Sequence, residues 1–443
     1  MTSTTPFALS PLLILPQKAT ESRRRNLRLS RNRPTRRSIR LKSAETSQAD
    51  ECNKPSDDDA EKSFIQGRFD QAFADYEQLL QHQPGRLDVQ ARLGYLDLLA
   101  NRTSSAIARL TAVMEGGLRT RTVLSHLAEA YNRNGDLGHA ALCYEQLGRE
   151  GLAGTLAAIS QLPVLQLNAG PAVCRLDWVR AEPLPVVTVA VNGKPANLIV
   201  DTGAGDTVLD VAFAVNAGIR LGGREWRDFA GGQPAEVLHG HAEQLWLNEI
   251  GITDVPVQVL DLQPTFGDWF PGMKVDGILG IRLLSLFDCT LDYIERRLEL
   301  SRPTTESAPE QQGTPIWMAE NWMLFSHADF PDQRQATVFL DSGMTGASFA
   351  VPESRVAALG VTPDPTATAI GTGGGGVVGG SAAEVSKLRL DALERTRCSG
   401  LILDRLSIEK TLGFRVNGLI GHDALRDTRL ALDFGRMRMT LSQ

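Results

Sequence analysis

Apolar positions between about residues 59 and 165 recur every three to four residues, which is the spacing of one face of an α-helix. The stretches QGRFDQAFADYEQLL, ANRTSSAIARLTAVM and RNGDLGHAALCYEQL each have a Gly or Asn turn followed by such a stripe. Corresponding residues recur at one constant interval in three sets: Gly67, Asn101 and Gly135; Ala72, Ala106 and Ala140; Tyr76, Leu110 and Tyr144. The pattern predicts stacked pairs of helices, in which the small Ala positions let paired helices approach closely.

The interval is that of the tetratricopeptide repeat, a helix–turn–helix unit of about 34 residues, and the chain resembles that family here. About two and a half repeats are visible, which is the least that stacks stably. The resemblance implies a groove that holds a peptide or a partner protein. The alternative is a helical cap docked on the next domain, and the sequence leaves both interpretations open.

Beyond residue 180 the pattern changes to short apolar runs separated by turn residues, which is typical of β-strands. LPVVTVAVNGKPANLIVDTG predicts two strands around an Asn-Gly turn, and the second strand ends on Asp201. NWMLFSHADFPDQRQATVFLDSGMTGASFAVP repeats this arrangement and ends its apolar strand on Asp341. The distance from Asp201 to Gly277 is 76 positions, and that from Asp341 to Gly418 is 77. The chain therefore carries two copies of one β unit, each with an aspartate at the same place.

The residues after each aspartate favour a tight turn, because a hydroxyl side chain and glycines follow the strand. The short segments GILG and GLIG are apolar and glycine-flanked, so they can pack closely behind such a turn. If the two copies pair about a pseudo-two-fold axis, Asp201 and Asp341 meet at that axis. Two carboxylates a few ångströms apart cannot both ionise, so they share a proton. One can then act as base on a water while the other donates a hydrogen bond to a carbonyl.

This constellation resembles the aspartic peptidases, and Asp-Thr-Gly-Ala with short lobes is closer to the retropepsin-like than to the pepsin-like branch. The resemblance covers residues 180–443. It implies a multidomain chain: an N-terminal all-α helical repeat, then an all-β bilobal acid-protease fold with pseudo-two-fold symmetry. It further implies an endopeptidase in which Asp201 and Asp341 are catalytic and no cofactor is needed. The alternative is a non-catalytic peptide-binding scaffold that retains the fold.

The resemblance also extends to supporting residues and to a glycine-rich flap over the substrate in each copy. Glycine suits a lid that must move and lie against a peptide backbone. The catalytic-loop residues are Thr202, Gly203, Ala204, Ser342 and Gly343; the apolar segments behind them are Gly277, Ile278, Leu279, Gly280, Gly418, Leu419, Ile420 and Gly421; the flap candidates are Gly231, Gly232, Gly373, Gly374, Gly375 and Gly376.

The chain departs from the family pattern in three places. Met344 stands where a small residue is usual, and neither candidate flap contains a tyrosine. After the second apolar segment comes His422-Asp423, whereas the first copy has Ile281-Arg282. These departures leave substrate preference and catalytic competence open.

Other motifs predict no additional site. The stretch GTGGGG matches GxGxxG, but the sequence after it indicates the return strand of a hairpin rather than the helix that a dinucleotide site needs. His239 and His241 would point the same way on a strand, yet no third metal ligand is evident. We therefore expect exposed histidines near the flap and no metal site. Asp292 and Asp433 recur in both copies and are expected to fix turns.

Charge and composition restrict the remaining possibilities. The net charge of −6 conceals eleven Lys and Arg against one acidic residue in residues 1–43, so the rest of the chain is acidic and does not favour nucleic-acid binding. No apolar run approaches the roughly 20 residues that span a bilayer. Five scattered cysteines without CxxC spacing argue against a disulfide framework and against a cysteine-based zinc site.

The expected organisation has four parts. Residues 1–58 form a disordered basic tail and acidic linker, compatible with a transit peptide or with a start codon assigned too early. Helical repeats occupy residues 59–165, and the two peptidase lobes occupy residues 180–302 and 313–443. The expected partners are a peptide or protein substrate and a protein on the helical repeats. Pairing of the lobes within one chain predicts an active monomer, and the compartment is left open.

Overall fold

The computed structural model describes residues 3–8, 14–15, 56–229, 234–303, 313–373, 376–406 and 408–443. Two short strands, β1 (Ser3–Ala8) and β2 (Ile14–Leu15), lie in the segment for which the sequence predicts a disordered tail. Both add to sheet edges of the β domain, which is how an extended segment satisfies its backbone hydrogen bonds. No helix among the described residues is long and apolar enough to cross a membrane.

A helical unit follows, and its geometry repeats with the period that the sequence predicts. The helices are α1 (Asp57–Ile65), α2 (Phe69–His82), α3 (Leu87–Leu99), α4 (Thr103–Glu115), α5 (Arg121–Arg133), α6 (Leu137–Gln146) and α7 (Glu150–Ile159). The starts of α2, α4 and α6 are evenly spaced, and the same interval separates the starts of α3 and α5. Ala72, Ala106 and Ala140 are each completely buried where paired helices meet. The repeat prediction is confirmed.

The first lobe runs from β3 to β13. Its strands are β3 (Gln166–Leu167), β4 (Val173–Asp177), β5 (Val186–Val191), β6 (Lys194–Val200), β7 (Thr207–Asp210), β8 (Arg220–Phe229), β9 (Pro234–Leu247), β10 (Ile250–Leu260), β11 (Gly277–Leu279), β12 (Asp288–Asp292) and β13 (Arg297–Ser301); its helices are α8 (Val211–Asn216), α9 (Gln263–Phe266) and α10 (Ile281–Leu284). The predicted hairpin is present as β5 and β6, with Asn192 and Gly193 at φ 48° and 76° in its turn.

The second lobe repeats these elements. Its strands are β14 (Thr314–Pro315), β15 (Trp317–Met318), β16 (Leu324–Asp329), β17 (Ala336–Asp341), β18 (Phe349–Pro352), β19 (Thr362–Gly373), β20 (Gly376–Leu390), β21 (Leu393–Leu403), β22 (Gly418–Gly421), β23 (Arg429–Asp433) and β24 (Arg438–Ser442); its helices are α11 (Val356–Leu359), α12 (Glu409–Leu412) and α13 (His422–Leu425). Two 3-10 turns, Glu320–Trp322 and Glu353–Arg355, complete it.

The described strands form one barrel-like sheet per lobe and a third sheet that joins the lobes. The first lobe has the order β2-β8-β9-β5-β6-β11-β7-β10-β3, and the second has β1-β19-β20-β21-β18-β22-β17-β16-β15. The joining sheet has the order β14-β24-β23-β12-β13-β4, in which β12 and β23 of different lobes pair antiparallel. At the ends of these two strands the Asp292 and Asp433 carboxylates accept backbone N–H groups two or three residues onward, so both fix turns.

The helical unit packs directly on the β domain. Phe69 lies against Trp317 and Phe414, with ring centroids 5.0 and 4.9 Å apart. The Arg133 side chain is fully buried, pairs with Glu129 at 2.9 Å and donates to the carbonyl oxygens of β15 and the residue that follows it. This packing is what the docked-cap interpretation of the repeats predicts.

Candidate active site

Each aspartate stands where a central strand ends. Asp201 follows β6, and Asp341 is the last residue of β17. The strand β11 pairs parallel with β6 on one side and antiparallel with β7 on the other. The strand β22 pairs with β17 and β18 in the same way. Each glycine-flanked apolar segment is therefore a strand that pairs with both the strand before and the strand after an aspartate loop, and this pairing holds the loop in place.

Both aspartates have the same local environment. The Gly203 N–H donates to Asp201 Oδ1 at 2.7 Å, and the Gly343 N–H donates to Asp341 Oδ1 at 3.1 Å. The two aspartates are 1% and 0% exposed. A backbone bond inside each loop thus fixes the orientation of a buried carboxyl group.

The two loops are bound to each other through their hydroxyl residues. Thr202 Oγ1 donates to the Leu340 carbonyl oxygen and accepts the Ser342 N–H, each at 2.9 Å. Ser342 Oγ accepts the Thr202 N–H at 2.9 Å and donates to the Val200 carbonyl oxygen at 3.3 Å. These four reciprocal bonds join two loops that are far apart in the sequence.

Gly343 shows how closely the loops approach. A Cβ atom added at this glycine would lie 2.5 Å from both Cγ and Oδ1 of Asp201. No side chain fits at that separation, so the second loop reaches the first aspartate only because this residue is glycine. The sequence assigned the glycine to a turn, and the structure adds this contact.

Buried polar groups near the two loops were not predicted from the sequence. Burial raises the pKa of Tyr293, and the nearby Asp201 charge raises it further. Burial lowers the pKa of His422 to about 3, with a smaller contribution from Arg426. The Tyr293 and His422 rings are 5.3 Å apart, and these pKa shifts leave both groups uncharged at neutral pH. The divergent turn after the second apolar segment was the one sequence signal for His422.

The two candidate flaps correspond to hairpins. The strands β8 and β9 form the first, and β19 and β20 form the second, in which Gly373 faces Gly376. The other four glycines proposed from the sequence, Gly231, Gly232, Gly374 and Gly375, lie outside the described residues. Trp226 on the first hairpin and Val377 on the second are 60% and 70% exposed.

The expectation of exposed histidines near the flap is wrong. His239 and His241 are 3% and 8% exposed because β9 lies beneath the helical unit. Glu225 provides a polar partner for the buried His239, since one of its oxygens is 3.0 Å from His239 Nε2 and 2.7 Å from Arg149 of the helical unit. Among the described residues, no three His, Cys, Asp or Glu side chains are grouped to hold a metal ion.

Comparisons with known proteins match the two regions separately. A family model described as aspartyl protease matches residues 187–283, and one described as tetratricopeptide repeat matches residues 63–116. DNA damage-inducible protein 1 of Eremothecium gossypii is 25% identical over 177 residues, which cover 39% of this chain and 33% of that protein. The chain thus matches about one third of the length of this curated relative.

Solved structures with similar coordinates include a retropepsin-like aspartic protease from Rickettsia conorii. It has a TM-score of 0.21 and 16% identity, over 31% of this chain and 94% of that chain. Basic 7S globulin from soybean has a TM-score of 0.35 and 9% identity, over 63% of this chain and 95% of that chain. The matches to family models identify an aspartyl protease region in residues 187–283, which includes Asp201, and tetratricopeptide repeats in residues 63–116.

Proposed function

We propose that this chain is an aspartic endopeptidase that hydrolyses peptide bonds with a water activated between Asp201 and Asp341. The observation that carries the proposal is the set of four reciprocal bonds made by Thr202 and Ser342. Those bonds hold two equivalent aspartate loops against each other, as a pseudo-two-fold relation between the lobes would require. A loop that only ended a strand would need no such partner.

The proposed mechanism follows from the proximity of two buried carboxyl groups. Two like charges at short range in a poorly solvated site cannot both persist, so the pair holds one proton. The ionised member removes a proton from water, and the protonated member donates a hydrogen bond to the substrate carbonyl oxygen. The N–H bonds from Gly203 and Gly343 fix how each carboxyl group is oriented in its loop.

An extended peptide is the substrate that the hairpin edges favour. The strand β1 pairs parallel with β19, whereas β2 pairs antiparallel with β8. A single extended peptide that crossed two hairpins related by a two-fold axis would run parallel to the edge strand of one hairpin and antiparallel to that of the other. Addition of a strand to an exposed edge is a general mode of peptide recognition, with affinity supplied by main-chain bonds. We therefore propose that peptides bind along the first strand of each flap, in the places that β1 and β2 occupy in the structure.

A second candidate function is a peptide-binding scaffold without catalysis. Met344 favours it, because this completely buried side chain packs against Gly421 in place of the small residue usual in the family. A distorted second loop would still bind an extended peptide but would not position a water. The helical repeats, which dock on the β domain, would offer their remaining surface to a partner in either case.

The experiment uses the full chain and a mixed peptide library from acid to neutral pH, with products read by mass spectrometry. We expect cleavage by the wild type and none by Asp201→Asn or Asp341→Asn. The exposed Asp268→Asn is the matched control and should cleave normally. Cleavage that persists in both dyad variants would contradict the mechanism, and peptide binding without any cleavage would favour the scaffold. Size-exclusion chromatography of the active sample tests the expected monomer.

A further inference from the structure

A cavity of about 320 Å³ lies between the helical unit and the β domain, away from the aspartates. Its walls come from α5, the connection between α6 and α7, the flap strand β8, and two segments of the second lobe. The lining side chains used below are Arg121, His126, Arg149, Arg227, Glu320, Asn321 and Lys410.

The wall of the cavity is rich in cations, because Arg121, Arg149, Arg227 and Lys410 all line it. Glu225 pairs with Arg149 at 2.7 Å and lies 3.5 Å from Arg227, so one carboxylate is shared between two guanidinium groups. The cationic groups therefore outnumber the anionic ones, and a carboxylate of a ligand would bind beside the arginines through charge-assisted bonds.

Glu320 stands on the same cavity with an unpartnered carboxyl group. Its side chain makes no hydrogen bond or ion pair with any described residue, and the residue is half-buried in the wall of the cavity. Burial raises its pKa, and the neighbouring Glu129 charge raises it further, while Arg149 opposes the shift. A half-buried carboxyl group that no described residue bonds is accessible to a donor that a ligand supplies.

We propose that this cavity binds a small zwitterion, a free amino acid or a short peptide, with its carboxylate on the arginines and its ammonium group on Glu320. A simple anion would leave Glu320 without a partner, and a simple cation would leave the arginine side uncompensated. A molecule with both charges satisfies both sides of one cavity. The neutral His126 ring, whose pKa burial lowers to about 3, adds a polar wall without further charge.

The cavity is connected to the candidate active site through two residues. Arg227 belongs to the flap strand β8 and donates to Asn321 Oδ1 at 2.9 Å. The carbonyl oxygen of Asn321 lies against Gly205, in the loop that begins at Asp201, with no room for a Cβ atom between them. A ligand bound by Arg227 and Glu320 is therefore linked through these contacts to both the flap and the aspartate loop.

The test is isothermal titration of the full chain with the dipeptide alanylalanine. We expect one binding site per chain, and a loss of affinity of about tenfold or more for N-acetyl-alanylalanine and for alanylalanine amide, because each lacks one charge. Glu320→Gln should lower the affinity for alanylalanine by a similar factor, while the weak binding of the acetylated peptide should stay unchanged. The exposed Glu353→Gln is the matched control and should bind as the wild type does.

Any one of three outcomes in the main titrations would overturn the proposal. They are no binding of alanylalanine by the wild type at millimolar concentration, equal binding of the charged and capped peptides, and unchanged affinity in Glu320→Gln. Circular dichroism of each variant shows whether it folds. Lys410→Gln changes an exposed side chain that also lines the cavity, so it should weaken the binding of alanylalanine even if the Glu320 variant is unstable. Unchanged affinity in Lys410→Gln together with an unfolded Glu320 variant would also count against it. Because binding is read without cleavage, failure here leaves the proposed peptidase activity standing.

Discussion

The bonds between the aspartate loops lead to a quantitative prediction for Thr202→Val. The substitution keeps the shape of the side chain but removes its hydroxyl, which makes two of the four reciprocal bonds, both at 2.9 Å. The Ser342 N–H and the Leu340 carbonyl oxygen then lose this partner at a position where Thr202 and Ser342 are both buried. A buried group left unsatisfied costs about 1–3 kcal/mol, so the free energy of unfolding should fall by about 2–6 kcal/mol. Thr202→Ser retains the hydroxyl and should lose only about 1 kcal/mol, for the missing methyl group.

The loops can be tested as one unit with a double-mutant cycle. Ser342→Ala removes the other two reciprocal bonds, which involve different atoms. If the loops hold each other, either change loosens the contact, and the second then costs less than it does alone. We expect the combined loss to be smaller than the sum by about 0.5–3 kcal/mol.

The assay is urea unfolding followed by tryptophan fluorescence. All six tryptophans lie beyond residue 170, so their emission reports the β domain, while far-ultraviolet circular dichroism reports the helices. Both signals are needed because a multidomain chain need not unfold in one step. Strict additivity of Thr202→Val and Ser342→Ala, or a loss below about 0.5 kcal/mol for Thr202→Val, would refute the reasoning.

Three further predictions address other parts of the structure. Gly343→Ala should abolish peptide cleavage, because its Cβ atom would lie 2.5 Å from Asp201 Cγ. The control Gly138→Ala, whose Cβ atom would have its nearest neighbour 4.0 Å away, should leave cleavage intact. Cleavage by Gly343→Ala would contradict the close approach of the two loops. The pKa of His422 is about 3 in the folded protein, below its value in the unfolded chain. Its contribution to the free energy of unfolding is therefore complete above about pH 6.5. That contribution is lost by about 1.4 kcal/mol per pH unit as the pH falls toward 3. His422→Met should reduce that acid dependence by one proton in urea titrations, and an unchanged slope would argue against a neutral buried ring. Arg133→Met leaves the buried Glu129 carboxylate without its cation, with the Tyr144 hydroxyl still donating to it, and should cost about 3–5 kcal/mol in the helical transition seen by circular dichroism. A cost below about 1 kcal/mol would show that this buried pair does not stabilise the docked helices.

The periodic parts of the fold were predictable because they depend on local spacing. Helix pairs at a constant period and the β5–β6 hairpin follow from apolar stripes and turn residues, and both are present. The recurrence of an aspartate before a hydroxyl residue and glycine indicated two equivalent loops, although Asp201 and Asp341 lie in different lobes. The catalytic role of that pair stays a prediction.

The sequence by itself determined the classes of element, the duplication and the identity of the two aspartate loops, because a short stretch of chain encodes each of these. The tertiary structure alone decided which groups lie between the domains. His239 looked like an exposed strand residue, and only the docking of α7 over β8 and β9 buries it against Glu225. No sequence pattern marks Glu320, because the cavity that it lines has walls contributed by segments far apart in the chain. Contacts between distant segments depend on how the elements pack, and no local pattern of apolar and polar residues records that packing.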